Sequence, residues 1–204
     1  LDLQSASSSA RPGRSGVLLP DTVSGFAAPI HTLRVPELPC AKVRSRLYFV
    51  CLWAVTPECG DAVRARFSGK TDVGRQRDQN EDALLLLPDL GVMAVCDGLG
   101  GHRSGHLASQ LCVSTLTDFF LITVASDGTW PFPYDEGLSD EENYLFTGIR
   151  LANRRIFDRS LKNLSDFGMG TTCVAAMFDK ASSHVSIAHV GVSRCYRVRD
   201  GEII

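Results

Sequence analysis

An α+β domain, with strands in two groups around a pair of helices, is the fold class this sequence predicts. Two observations carry it: short apolar runs bounded by turn residues lie on both sides of residues 105–156, and within that stretch apolar residues recur every three or four positions. Residues 64–73 alternate loosely between apolar and polar and predict a strand. Residues 83–87 predict another, 88–91 a turn with Pro88 and Gly91, and 92–96 the returning strand of a hairpin. Next, 105–120 predicts a helix, because Ala108, Cys112, Leu116, Phe119 and Phe120 fall at helical spacing. A loop carrying Gly128, Pro131, Pro133 and Gly137 separates it from a second helix. That helix opens on a capping-box pair, Ser139 and Glu142, and sets Leu145, Ile149, Ala152 and Ile156 on one stripe. Residues 171–178 and 184–190 predict two further strands, and 195–198 leads into a turn signal at Asp200-Gly201. No internal repeat is present.

Composition fits one globular domain with an appendage: 204 residues, 44% hydrophobic, 22% charged, net charge -2. Residues 1–60 hold six Lys/Arg against four Asp/Glu, leaving fifteen against nineteen for the remainder, so neither part is basic enough to suggest nucleic acid. The seven cysteines form no Cys-x-x-Cys pair, and Cys96, Cys112 and Cys173 fall in apolar strand or helix patterns. That favours buried thiols in a reducing compartment over disulfides or a zinc site.

Residues 1–62 read differently from 63–204. A serine run at 5–9, several prolines and no sustained period predict an unstructured or non-native upstream segment. Its one apolar run, 47–55 behind Lys42, Arg44 and Arg46, is far shorter than the roughly 20 residues of a membrane-spanning helix. It resembles the apolar part of a secretory signal, but forty residues precede it. The first methionine is Met93, so a fragment, a processed product or a translation begun too far upstream is expected, with the true start near Val63 at a GTG codon. The Arg199-Asp200-Gly201 turn should open a further strand, so continuing sequence is expected there too.

The chemistry concentrates in two acidic motifs, Arg77 to Asp82 and Asp97 to His102. A hairpin over 83–96 brings Asp82 and Asp97 to the same end of two neighbouring strands, and carboxylates so placed repel unless a cation sits among them. Taken singly, each motif also fits a bland reading, a solvated strand edge for Asn80-Glu81-Asp82 and a glycine turn for Asp97 to Gly101. His102 and His106 sit four apart, yet no second His or Cys cluster supports zinc, and a hydrogen-bonded or solvent-facing role is expected for both. The glycine run lacks the Lys-Ser/Thr of a phosphate loop and the Gly-x-Gly-x-x-Gly of a dinucleotide fold.

Together, however, five motifs in order resemble the bacterial metal-dependent protein serine/threonine phosphatases of type 2C: Thr71 to Arg77, Asn80 to Asp82, Val95 to His102, Gly168 to Thr172 and Ala188 to Arg194. The match covers about residues 64–204. It implies a four-layer α-β-β-α sandwich of two antiparallel sheets flanked by helices, its C-terminal part missing, with a metal cleft at one edge. It also implies two Mg²⁺ or Mn²⁺ ions, for which oxygen ligands are suited. By resemblance Asp97 bridges both ions, the Gly98 carbonyl ligates one, Glu81 and Asp82 hold that ion directly or through waters, and Arg77 clamps the phosphate. The implied reaction is hydrolysis of phosphoserine or phosphothreonine in protein substrates by direct attack of an activated water, without a phosphoenzyme. A kinase acting on the same targets is an implied partner, a cytoplasmic location is implied as well, and a monomer with no membrane association is expected.

The chain departs from the family's pattern in three places. Val192 stands where the family has an acid of a weaker third metal position, a loss of that position rather than of the fold, since valine suits a strand. Later Asp-Gly and Asp-Asn motifs, each giving a carboxylate to the centre, have no counterpart. Leu99 follows Asp97-Gly98 where eukaryotic members have a histidine. The chain alone is therefore expected to be an inactive fragment, poorly soluble or partly molten. The competing expectation is a non-catalytic pseudophosphatase remnant that binds a phosphoprotein or partner.

Overall fold

The structure, a computed structural model, describes residues 30–34, 49–57, 63–73, 78–99, 104–126, 130–182, 184–199 and 202–203. Two strands come first, β1 (Ile30–Arg34) and β2 (Phe49–Pro57). Both fall within residues 1–62, the segment that the sequence marks as unstructured or non-native; the rest of that segment lies outside the described residues. The physical reason differs between them. β2 is built from Phe49, Val50, Trp53 and Val55, residue types that favour strands, and it forms a hairpin with the strand that follows. β1 pairs with a strand more than a hundred residues later, which composition cannot reveal.

That following strand, β3 (Val63–Thr71), pairs antiparallel with β2 from Pro57↔Val63 to Phe49↔Thr71. Its expected alternation is present: Ala65, Phe67, Gly69 and Thr71 are half-buried, while Arg66, Ser68 and Lys70 are exposed. β4 (Asp82–Leu87) and β5 (Val92–Leu99) form the predicted hairpin. Their turn is a short 3-10 segment, Pro88–Leu90, closed by Gly91 at φ 71. A side chain there would place its Cβ 2.4 Å from the Phe178 carbonyl oxygen, so glycine is needed both for conformation and for space.

Two long helices follow, α1 (Ser104–Ser126) and α2 (Asp140–Lys162). All nine positions predicted to face the core are buried, from Ala108 and Phe120 at 0% exposure to Ile156 at 8%. Burying a leucine such as Leu116 or Leu145 completely is worth about 1.5–3 kcal/mol. The capping box at α2 is complete: the Ser139 hydroxyl accepts from the Glu142 N–H at 3.2 Å and Glu142 Oε2 accepts from the Ser139 N–H at 2.8 Å. Ser139→Ala is expected to lower stability by about 1 kcal/mol in denaturant unfolding, since it orphans the Glu142 N–H while leaving the buried face intact. An unchanged midpoint would contradict that role.

The remaining strands are β6 (Gly170–Thr171), β7 (Cys173–Asp179), β8 (His184–Val190), β9 (Val198–Arg199) and β10 (Glu202–Ile203). At the β7–β8 turn the Ser182 hydroxyl, then the Ala181 and Ser182 N–H groups, donate to Asp179 and hold its carboxyl below the ordinary value. The main sheet runs β1-β8-β7-β5-β4, antiparallel throughout, with β6 attached to β5.

Period-2 alternation then sorts the sheet's two faces. Ala83, Leu85, Val92, Ala94, Cys96, Cys173, Ala175 and Met177 share one core with α1 and α2. On the other face Met93, Ala176, Phe178, Val185 and Ile187 form a second core, to which Ala65 and Phe67 of β3 contribute. Helices cover one face of the sheet and the β2–β3 hairpin lies on the other, in keeping with the predicted α+β class. No helix of the described residues is long and apolar enough to cross a membrane.

Candidate metal centre

Asp82 and Asp97 are register partners, the terminal pair of the β4–β5 ladder. Residues directly opposite in an antiparallel pair project to the same face, with Cβ atoms about 4.5–5.5 Å apart. Because Ala83 and Cys96 point into the helix-side core, Asp82 and Asp97 belong to the opposite face, at the sheet's end and on the side of the β2–β3 hairpin. Thr71, the last residue of β3, reaches that place: its hydroxyl lies 3.4 Å from Asp82 Oδ2 and accepts from the Asn80 amide at 2.9 Å. Asn80 also caps the start of β4, its Oδ1 accepting from the Asp82 N–H at 3.0 Å.

Asp97 is held through its backbone. Its N–H donates to the Thr172 hydroxyl at 3.1 Å and its carbonyl accepts from the Thr172 N–H at 2.9 Å. The Thr172 hydroxyl is in turn 2.7 Å from the Ser193 hydroxyl. Three motifs distant in sequence thus converge on one aspartate. Glu81, one residue before Asp82, belongs to the helix side. A Cβ on Gly105 would lie 2.9 Å from Glu81 Oε1, placing that carboxylate over the first turn of α1, the positive end of the helix dipole. The Glu81 carbonyl accepts from the Gly98 N–H at 3.1 Å and from the Ser109 hydroxyl at 2.5 Å, and His106 Nδ1 lies 2.9 Å from the Asn80 carbonyl. His106 therefore takes the hydrogen-bonded role expected of it. Gly98 is buried where β5 meets α1.

The structure brings Asp82, Asp97, Gly98 and Glu81 to one end of the sheet. Arg77 and His102 lie outside the described residues. Among the described residues the three carboxylates do not converge to within 4.8 Å of one another. The donors are hard oxygens, two on one face and one on the other, with a backbone carbonyl at Gly98, a set that fits a divalent cation such as Mg²⁺ or Mn²⁺. Val192 is not in a strand: β8 ends at Val190, Gly191 takes φ 92, and Val192 stands 84% exposed in the bend that follows. The expectation that valine serves a strand there is thereby corrected.

Sequence reasoning did not assign Thr71, Ser109 or Thr172 a role in positioning the acids. Ser109 had a signal, a polar residue on the apolar stripe of α1. It is fully buried and bonded to Glu81.

Fold and site together define an α+β domain with Glu81, Asp82 and Asp97 gathered at one end of its main sheet. By sequence and by fold the chain is a homologue of part of the bacterial type 2C serine/threonine protein phosphatases. It is 36% identical over 136 residues to the serine/threonine phosphatase stp of Listeria monocytogenes, covering 64% of this chain and 49% of that protein. It is 32% identical over 138 residues to the serine/threonine protein phosphatase PstP of Mycobacterium tuberculosis, covering 68% of this chain and 24% of that protein. A crystal structure of the PstP catalytic domain, in complex with two manganese ions, superposes with a TM-score of 0.53 at 30% identity, over 68% of this chain and 53% of that one. The chain thus spans at most about half the length of these curated relatives. No protein-family model matches it.

Proposed function

We propose that the chain is part of a metal-dependent protein serine/threonine phosphatase that hydrolyses phosphoserine or phosphothreonine in proteins. The observation that carries this reading is the Asp82–Asp97 register pair at the end of the main sheet, beside which the Glu81 carbonyl meets Gly98. The PstP catalytic domain, with its two manganese ions, supports the choice of cation. When bound, two Mg²⁺ or Mn²⁺ ions supply positive charge to the phosphate oxygens and lower the pKa of the attacking water. Asp82 and Asp97 would hold the ions from the hairpin side, Glu81 and the Gly98 carbonyl from the helix side. Thr172 fixes the backbone of Asp97, Asn80 that of Asp82, and Arg77 would orient the phosphate through its guanidinium fork. A monomer in a reducing cytoplasm, opposing a serine/threonine kinase, completes the reading.

Three acidic side chains offset the mutual repulsion of two divalent ions only in part, on the order of 16 kcal/mol at 4 Å and an effective dielectric near 20. The 204 residues alone should therefore bind one Mn²⁺ weakly and leave p-nitrophenyl phosphate unhydrolysed. Robust turnover that chelation abolishes would overturn that incompleteness. A chimaera tests the phosphatase reading itself, with residues 63–204 replacing the matching stretch of the Listeria phosphatase. It should release phosphate from a phosphothreonine peptide with Mn²⁺, and Val192→Asp should raise that activity most at high Mn²⁺. A folded but inert chimaera that still binds the phosphopeptide would favour the pseudophosphatase reading, for which the exposed Val192 in place of an acid is the supporting observation.

A further inference from the structure

Beneath the acid pair, on the opposite face of β5, lies a chemically different group. Cys96 of β5, Cys112 of α1 and Cys173 of β7 are 0%, 3% and 3% exposed. Their Sγ atoms all lie within 4.8 Å of one another, and no His, Asp or Glu among the described residues joins them. The register explains the meeting: Val95 opposes Val174, so one step further Cys96 faces Cys173 across neighbouring strands, and α1 lays Cys112 over both. Three soft donors from three elements therefore share one apolar pocket.

Charge decides what such a pocket can hold. Three thiolates around a monovalent ion carry a double negative charge and around a divalent ion a single one, and uncompensated charge is strongly disfavoured in an apolar interior. Closed zinc sites also take four ligands, and here there are three. A trivalent centre with three thiolates is neutral and needs no fourth donor. We infer that Cys96, Cys112 and Cys173 form a binding site for a trivalent thiophilic centre of the arsenite class.

The exchange balances without redox chemistry. Arsenous acid, As(OH)3, gives up three hydroxyls, each leaves as water with one thiol proton, and three As–S bonds replace three As–O bonds at constant oxidation state. Arsenous acid is small and uncharged at neutral pH, so local opening of the α1 edge suffices for entry. Bonds of about 2.3 Å, the length of zinc–sulfur bonds, set sulfur separations of ~4 Å or less. In a pyramidal centre they stand ~3.5 Å apart, so the sulfurs need to close by up to roughly 1.3 Å, within reach of modest χ1 rotations. The product would tie β5, β7 and α1 together one residue from Asp97.

Sodium arsenite is the probe, applied to the reduced full chain and to a variant with Cys40, Cys51, Cys59 and Cys195 changed to serine. Both should gain the mass of one arsenic less three protons, and both should melt at higher temperature. Arsenic X-ray absorption should show three sulfur neighbours and no oxygen. In the variant, further Cys96→Ser, Cys112→Ser or Cys173→Ser should each weaken binding at least about tenfold. Loss of only two protons, oxygen in the arsenic shell, or preferential stoichiometric uptake of zinc would overturn the site. The absorption and mass measurements need none of the three serine substitutions, so they decide the matter even where such a variant fails to fold.

Discussion

Asp97→Ala is expected to weaken Mn²⁺ binding by the chain at least ~100-fold, or about 2.7 kcal/mol, while leaving the fold intact. The size follows from charge. A divalent ion about 4 Å from a carboxylate gains roughly 8 kcal/mol at an effective dielectric near 20, twice the unit-charge figure, before desolvation takes most of it back. The intact fold follows from how Asp97 is held. Its N–H and its carbonyl both bond to Thr172, and these main-chain bonds survive the substitution. Removing one acid of the Asp82–Asp97 pair also relieves like-charge repulsion, so the melting temperature without metal should hold or rise. Titration calorimetry and a thermal melt of the same sample read both. Near-parental Mn²⁺ affinity in a folded Asp97→Ala chain would sink the assignment.

The acid pair was legible because it is local: a turn at Pro88 and Gly91 between two apolar runs fixes which residues face each other, and counting along the runs pairs Asp82 with Asp97. The helices were legible for the same reason, since the Ser139 cap and the buried stripes are written within one segment. Non-local pairing was not. Nothing in residues 30–34 announces β8 as a partner, and no local signal gives the order β1-β8-β7-β5-β4. Each of Cys96, Cys112 and Cys173 reads singly as a small buried apolar residue, and only the adjacency of β5 and β7 under α1 turns them into a cluster. Likewise Thr172 and Ser193 lie inside recognised motifs, but the bonds that link Asp97 to Thr172 and Thr172 to Ser193 cross 75 and 21 residues of chain. The sheet order that makes those bonds is set by global packing, which no short window contains.

Gly98→Ala is expected to make the tightest clash of a methyl group at any of the described glycines. Its Cβ would stand 2.1 Å from the Gly105 carbonyl oxygen, 2.4 Å from the Gly105 carbonyl carbon and 2.7 Å from the Glu81 carbonyl oxygen. All three neighbours are backbone, so no side-chain rotation relieves the clash, and the end of β5 must move away from the first turn of α1. That movement strains or breaks the 3.1 Å bond from Gly98 N–H to the Glu81 carbonyl. Overpacking of this kind costs about 1–3 kcal/mol and occasionally more. A lost hydrogen bond adds about 1 kcal/mol, so a total near 3 kcal/mol or above is expected. Metal affinity should fall with it, because Glu81 and Asp97 are placed by the same contact. Gly170→Ala is the control: its Cβ would meet nothing within 4 Å, although Gly170 lies in β6, paired with the same end of β5. Denaturant unfolding should therefore separate the two alanines by at least about 2 kcal/mol. A Gly98→Ala chain as stable as its Gly170→Ala counterpart would show that β5 and α1 are not in the close backbone contact on which the candidate centre is built.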